Sequence, residues 1–262
     1  VTVNDKTTGK VNITVNGTTY EVDIVNGKAT LVLSGLAAGN YKVTVSYNGD
    51  GNFTAATINT EFNVAKINPG MNVVVDDIAY GQNATVTVTA NTGVTGKVII
   101  AVNGANHEVD IVNGRALLVL SGLGAGKYTV IVSYPGNDDY QFATVSDAFV
   151  VSPIDPNMSV SVNNIAQGQT ATITVTVAEG VTGSVTITIA GKPAQTVAIV
   201  NGQAVLTVPN LVTGSYIVTV NYDGNGNYTN ASVTKDFNVT GGQVSPDLKV
   251  TVGDINYGET AT

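Results

Sequence analysis

Apolar and polar residues alternate through most of this chain in short bursts, each closed by glycine or asparagine. In Tyr128-Thr-Val130-Ile-Val132-Ser-Tyr134 the apolar Tyr128, Val130, Val132 and Tyr134 share one parity. A strand places alternate side chains on opposite faces, so this set predicts a core-facing row, with Thr129, Ile131 and Ser133 turned outward. The passage, with its lead-in, occurs three times. Leu36-Ala-Ala-Gly39-Asn-Tyr41-Lys-Val43-Thr-Val45-Ser-Tyr47 recurs from Leu123 to Tyr134 and from Leu211 to Tyr222. Each copy runs into a glycine-rich turn and an aromatic: Gly49 to Phe53, Gly136 to Tyr140, Gly224 to Tyr228. Upstream of each copy, Asn26-Gly27, Asn113-Gly114 and Asn201-Gly202 separate apolar runs. Asn-Gly takes the positive φ angles of a type I′ turn, so each predicts a hairpin. The strand after each turn is expected to bury Leu31 and Leu33, Leu118 and Leu120, or Leu206 and Val208.

The middle repeat predicts strands near 72–79, 84–90, 97–103, 107–112, 115–121, 127–134 and 143–151. Seven short strands with turn signals every 8–12 residues are the pattern of an immunoglobulin-like sandwich. Within it, Leu-x-x-Gly-x-Tyr matches a tyrosine corner, whose ring packs in the core while its hydroxyl bonds an upstream backbone group. The motif falls at Tyr41, Tyr128 and Tyr216. A period of this size means an array of whole domains, not a solenoid. The expected fold is therefore all-β, with tandem seven-stranded immunoglobulin-like β-sandwiches in a rod-like array. Its expected divisions are 1–66, a domain lacking its first strands; 67–153 and 154–242, two complete domains; and 243–262, the first strands of a further domain. Proline in each connection, at Pro69, Pro153, Pro156 and Pro246, limits backbone freedom and predicts stiff joints, with Gly241-Gly242 the most pliable.

The repeat phase is unusual. Gly81-Gln-Asn-Ala-Thr85 opens the second strand of the middle repeat, Gly168-Gln-Thr-Ala-Thr172 matches it, and the chain ends in Gly258-Glu-Thr-Ala-Thr262. Val86-Thr-Val88 follows the first of these, and the chain begins Val1-Thr-Val3. Reading residue 1 after residue 262 regenerates the motif. The glycines then stand 87, 90 and, round the ends, 85 residues apart. The last residues are thus expected to complete the sandwich that begins at residue 1 of a neighbouring copy, through one covalent array or through exchange of a terminal strand between subunits. A denaturing gel separates the two, because a covalent array runs far above the mass of one unit.

Only 11% of residues are charged while 43% are hydrophobic, a balance that argues against disorder and leaves Thr, Ser and Asn to build the outward faces. The net charge of −8 and the absence of any basic run exclude a nucleic-acid footprint. No apolar stretch reaches the length of a membrane span. The 262 residues contain no cysteine, so disulfides and thiolate metal sites are excluded and the domains must be held by core packing.

Candidate chemistry is sparse. His107 is the single histidine, so a His-based triad or multi-His metal site cannot form within one chain; in a hairpin it reads as a solvated strand residue. Asp76-Asp77 and Asp138-Asp139 are the adjacent carboxylate pairs, and the first becomes Asn163-Asn164 and Gly253-Asp254 in the other repeats. Calcium needs six to eight oxygens, so these read as turn and surface polarity. Gly49-Asp-Gly51 and Gly224-Asn-Gly226 join strands and lack the helix of a phosphate loop. Lys66, the candidate for an isopeptide link, has no counterpart in the other repeats. No metal, cofactor or catalytic residue is assigned, and the chain is expected not to be an enzyme. Asn-x-Ser/Thr sequons stand at Asn12, Asn16, Asn52, Asn83, Asn157, Asn227, Asn230 and Asn238. Asn52 and Asn227 fall in equivalent turns before an aromatic and are the first expected glycan sites.

At Gly-x-Tyr-x-Val-x-Val-x-Tyr the chain resembles the tandem bacterial-type Ig-like repeat domains of surface proteins. Its Asn- and Thr-rich, Cys-free character is most similar to adhesin-like proteins of methanogenic archaea. The resemblance covers essentially the whole chain. It implies an extracellular, cell-surface location and a stalk or filament role, and it transfers no binding residues. The expected partners are neighbouring copies of the chain itself, with possible glycans, and no nucleic acid or membrane span. The alternative role is a glycan- or protein-binding adhesion module, which would present an exposed aromatic cluster in the loops of one repeat.

Overall fold

The structure is a computed structural model describing residues 1–242, 248–251, 253–258 and 260. Among these, every regular element is a β-strand, and no helix is long and apolar enough to cross a membrane. The chain divides into two compact units, Val1–Val151 and Ser152–Thr262. The tandem immunoglobulin-like reading of the fold holds.

The first repeat forms one four-stranded antiparallel sheet in the order β2-β1-β3-β4. Its strands are β1 (Lys10–Val15), β2 (Thr18–Asp23), β3 (Gly39–Tyr47) and β4 (Ala56–Val64). Alternation packs Val11, Ile13, Val15 and Val45 on its inner face. Residues 28–34, expected as a strand, are not one. They make a single bridge to the chain start, Thr2↔Lys28, and Ala29 exchanges backbone hydrogen bonds with Val1.

The second repeat has both sheets. One contains β5 (Asn72–Val74), β7 (Ala84–Thr89) and β10 (Arg115–Leu120) in the order β10-β7-β5. The other contains β6 (Ile78–Ala79), β8 (Lys97–Val102), β9 (Ala105–Asp110), β11 (Gly126–Tyr134) and β12 (Ala143–Ser152) in the order β6-β12-β11-β8-β9. The expected strand 72–79 is therefore split. The chain changes sheets at 75–77, where Asp77 Oδ1 accepts a 2.6 Å hydrogen bond from Val150 N and Asp147 Oδ2 accepts one from Val75 N at 3.0 Å. Val130, Val132 and Tyr134 are buried against Val86, Val88 and Ile100 in one core between the sheets, while Thr129 and Ile131 face out.

The third repeat has the same plan. Strands β13 (Ser159–Ser161), β15 (Ala171–Thr176) and β18 (Gln203–Val208) pair as β13-β15-β18. Strands β14 (Ile165–Ala166), β16 (Ser184–Ile189), β17 (Gln195–Ala198), β19 (Gly214–Tyr222) and β20 (Ala231–Thr240) pair as β14-β20-β19-β16-β17.

The Asn-Gly turns take positive φ at both residues, 52° and 70° at Asn26-Gly27 and 50° and 73° at Asn113-Gly114. They do not close hairpin ladders. Each closes one bridge, such as Val112↔Arg115; in the second and third repeats the chain then leaves one sheet for the other. The strand after the turn pairs instead with a distant one, β10 with β7 and β18 with β15, and that pairing sets its sheet. The true hairpins turn at Asn16-Gly17 and Asn103-Gly104, between β1 and β2 and between β8 and β9. The burial expected after the Asn-Gly turns is reached by Leu120, whereas Leu31, Leu33, Leu118, Leu206 and Val208 are half-buried.

Register also corrects the reading around the ends. Val88 faces Ala116 and Val175 faces Ala204; Val1 exchanges hydrogen bonds with Ala29, the matching alanine. Val1 therefore sits where Val88 sits, not where Val86 does. The shift is two residues, so face parity is kept. Of the expected partial domain at 243–262, residues 243–247, 252, 259, 261 and 262 lie outside the described residues.

Candidate functional site

Tyr41, Tyr128 and Tyr216 each lie at the third residue of β3, β11 or β19. Each hydroxyl donates to a backbone carbonyl four residues upstream: Ala37 O at 2.9 Å, Gly124 O at 3.1 Å, Val212 O at 3.0 Å. Each ring stacks on a phenylalanine of the next strand, Phe62, Phe149 or Phe237, with centroids 5.2, 5.1 and 5.4 Å apart. A second tyrosine in each repeat does similar work: Tyr134 and Tyr222 donate to Thr95 O and Thr182 O at 3.0 Å, and Tyr47 to Thr8 O at 3.3 Å. Burial pushes the hydroxyl pKa of Tyr134 and Tyr222 above the ordinary tyrosine value. Alternation marks these rings as core residues, but their hydroxyl partners come from a loop some forty residues away and carry no local signal.

The turn before β4, β12 and β20 is fixed by one side-chain oxygen. Asp50 Oδ1 accepts from Asn52 N and Phe53 N, both at 2.8 Å; Asn137 Oδ1 accepts from Asp139 N and Tyr140 N; Asn225 Oδ1 accepts from Tyr228 N. Those backbone N–H donors hold the Asp50 carboxyl below the usual carboxylate range. The same turns receive the connecting segments. Ile67 N donates to Asp139 O while Ile67 O accepts from Gln141 N; Ile154 N donates to Asn227 O while Ile154 O accepts from Thr229 N.

This placement separates the two leading sequons. Asn52 is exposed, whereas Asn227 is half-buried beneath Ile154. Asn16, Asn83, Asn157, Asn230 and Asn238 are exposed and Asn12 is half-buried in β1. Asn16 Oδ1 accepts from Lys42 N, and Asn238 Oδ1 from Ser215 Oγ, so both amides already serve the sheet.

The acidic pairs serve the backbone too. Asp77 pins β12, and its counterpart Asn164 accepts from Asn238 N at 2.7 Å. Asp139 Oδ1 accepts from Ala38 N at 3.2 Å. Among the described residues no three His, Asp or Glu side chains gather as metal ligands would. His107 is half-buried in β9 opposite Ile100 rather than solvated, because β9 turns alternate residues toward the sheet's covered face. Lys66 is exposed and donates its ammonium to Asn137 O. A concavity of about 590 Å³ beside Asn201-Gly202 is lined by Thr176, Glu179, Thr182 and Gln203, with one carboxylate and no acid–base partner for it.

What the first repeat presents is different in kind. A groove of about 390 Å³ opens on its inner face, lined by Val1, Ile13, Leu31, Leu33, Val43 and Phe62 among others. Phe62 is 39% exposed, while Phe149 and Phe237, in the same place, are 1% exposed. Val43 and Tyr47 are half-buried, where Val130 and Tyr134 are buried. Sequence parity assigns these residues to a core; it does not report that the opposite sheet is missing from the described residues.

The bacterial Ig-like domain (group 3) family matches residues 1–65 and 158–240. Among solved structures, the chain is similar to titin domains Z1Z2 in complex with telethonin, at 15% identity over 69% of this chain and 100% of that one, TM-score 0.43. It is also similar to a three-Ig titin fragment, at 14% identity over 89% and 88%, TM-score 0.39. Fibronectin(III)-like modules of Clostridium thermocellum CbhA match at 12% identity over 69% and 100%, TM-score 0.28.

Proposed function

The chain belongs to the bacterial Ig-like domain (group 3) family, and on that premise we propose that it is a non-catalytic structural segment of a stalk or filament on the outside of a cell. One observation carries the reading: each repeat spends its distinctive side chains on the same anchors. A corner tyrosine stacks on a phenylalanine, a second tyrosine ties a loop, and an Asx oxygen fixes the turn. Such repetition makes every copy rigid and delivers length rather than a pocket. The surface location is supported by the family of the repeats and by the exposed sequons headed by Asn52. Glycans there would shield polar sheet faces from edge-to-edge pairing. Negative-stain imaging of the native material tests the reading. A beaded fibre is expected, and isolated globules the size of one chain would count decisively against it.

A further inference from the structure

Strands β2, β9 and β17 occupy the same place in the three repeats, and each stands at the end of its sheet. Main-chain geometry says which of their residues face the open side. Ile24 N, Ile111 N and Ile199 N donate to Gly9 O, Gly96 O and Gly183 O. Counting back by twos along the antiparallel ladders, Val22, Val109 and Val197 turn their N–H and C=O groups toward β1, β8 and β16. The residues beside them turn those groups outward: Glu21 and Asp23, Glu108 and Asp110, Thr196 and Ala198. A strand added to this edge must bond at those positions. In the first two repeats they are exposed carboxylates, and Glu21 and Glu108 are held by Lys10 at 2.6 Å and Lys97 at 2.7 Å. Charge on an edge strand guards it against pairing with another chain. In the third repeat Gln195-Thr-Val-Ala198 carries no charge, and Ser184 stands in the place of Lys97. A slot of about 200 Å³ lined by Ile187, Ile189, Pro193, Leu206 and Val208 opens alongside, so this unguarded edge also borders apolar surface.

We propose that β17 pairs edge to edge with β17 of a second copy of this chain, antiparallel about a two-fold axis at Val197. The outward groups set the register. Thr196 and Ala198 of one copy exchange N–H···O bonds with Ala198 and Thr196 of the other. The two Val197 side chains meet on the axis, where the Cα atoms of a non-hydrogen-bonded pair stand about 4.5 Å apart. The interface is isologous, and it joins the five-stranded sheets of two third repeats into one. Charge selects the occupant. The same pairing at β9 would set Glu108 against Asp110 twice over, and at β2 Glu21 against Asp23, like charges directly opposite one another. Of the three equivalent edges, β17 alone is complementary to itself. The pairing goes beyond the stalk reading and does not depend on it, because purified chain is enough to reveal it.

The chain has no cysteine, so a single thiol reports the axis. V197C, mildly oxidised, is expected to give a disulfide-linked dimer on a non-reducing denaturing gel, since a Cα spacing of about 4.5 Å lies within disulfide reach. V109C places the thiol at the matching position of the guarded β9 and is expected to remain a single band. Independently, T196E/A198D installs on β17 the charges that β9 already carries, at two exposed positions, so folding is retained. Sedimentation velocity at rising concentration is expected to show the unmodified chain forming dimers and T196E/A198D dimerising roughly tenfold more weakly or less. A chain that stays monomeric throughout leaves the edge to a partner of another kind and overturns the proposal. Equal cross-linking of V197C and V109C, or unchanged association of T196E/A198D, would overturn it as well.

Discussion

Phe62, Phe149 and Phe237 offer one perturbation at three equivalent places. All three stack on a corner tyrosine at 5.1–5.4 Å, so the aromatic pair is constant and the cover over it varies. Phe149 and Phe237 are 1% exposed between two sheets, and truncation to alanine there loses transfer free energy and leaves a cavity, about 3–5 kcal/mol. Phe62 is 39% exposed at the groove. Water already reaches it, so no closed cavity forms and the transfer contribution is cut to about three-fifths, roughly 1–2 kcal/mol. Hydrogen exchange on the intact, dilute chain resolves each repeat through peptides from β3–β4, β11–β12 and β19–β20. The expected loss of protection is clearly smaller for Phe62→Ala than for Phe149→Ala or Phe237→Ala. Equal losses at all three positions would refute the reading that, among the described residues, no second sheet covers the first repeat.

Three further outcomes follow from the anchors. Tyr134→Phe removes the hydroxyl bonded to Thr95 O and should destabilise the second repeat by about 1 kcal/mol in thermal unfolding. Because burial raises the folded-state pKa of Tyr134 above its ordinary value of 10.0, its contribution is complete below that pH and is lost as pH rises through the folded value; the variant should show a shallower alkaline fall. Asp50→Asn should preserve the turn, as Asn137 and Asn225 do in their repeats. The wild-type carboxylate, held low, stabilises the turn above the ordinary aspartate pKa and loses that effect as pH falls through the folded value, so the Asn52 and Phe53 amide shifts should titrate in acid for wild type and not for Asp50→Asn. Gly114→Ala meets Ala90 O at 2.8 Å at a φ of +73°, whereas Gly104→Ala, at +87°, meets nothing within 4 Å. The second should lose about 1–2 kcal/mol to backbone strain alone, and the first distinctly more, by melting temperature.

Parity along Tyr128–Tyr134 was enough to place a strand, its buried face and its corner tyrosine, because those depend on residues close in sequence. Asp77 was legible only as a polar position repeated at Asn164 and Asp254. Its task, receiving Val150 N where the chain changes sheets, depends on a strand some seventy residues on. The Asn-Gly turns misled for the same reason: a two-residue turn fixes the reversal but not whether the arms share a sheet, which pairing with the distant strands β7 and β15 decides.

The sharpest case is a pair of nearly identical segments in different states. Ala116-Leu-Leu118-Val-Leu120-Ser-Gly122-Leu123 contains strand β10, while Ala29-Thr-Leu31-Val-Leu33-Ser-Gly35-Leu36 contains no strand and leaves Val32 83% exposed. Intrinsic preference cannot separate them, since they differ by one Leu-to-Thr exchange and threonine favours strands as well. What separates them is a neighbour. Arg115 to Leu120 pair residue by residue with Thr89 to Ala84, whereas Val1 and Thr2 reach only Ala29 and Lys28. A strand is thus a statement about two segments, and residues 28–33 hold the sequence of one partner with only Val1 and Thr2 of the other beside it among the described residues.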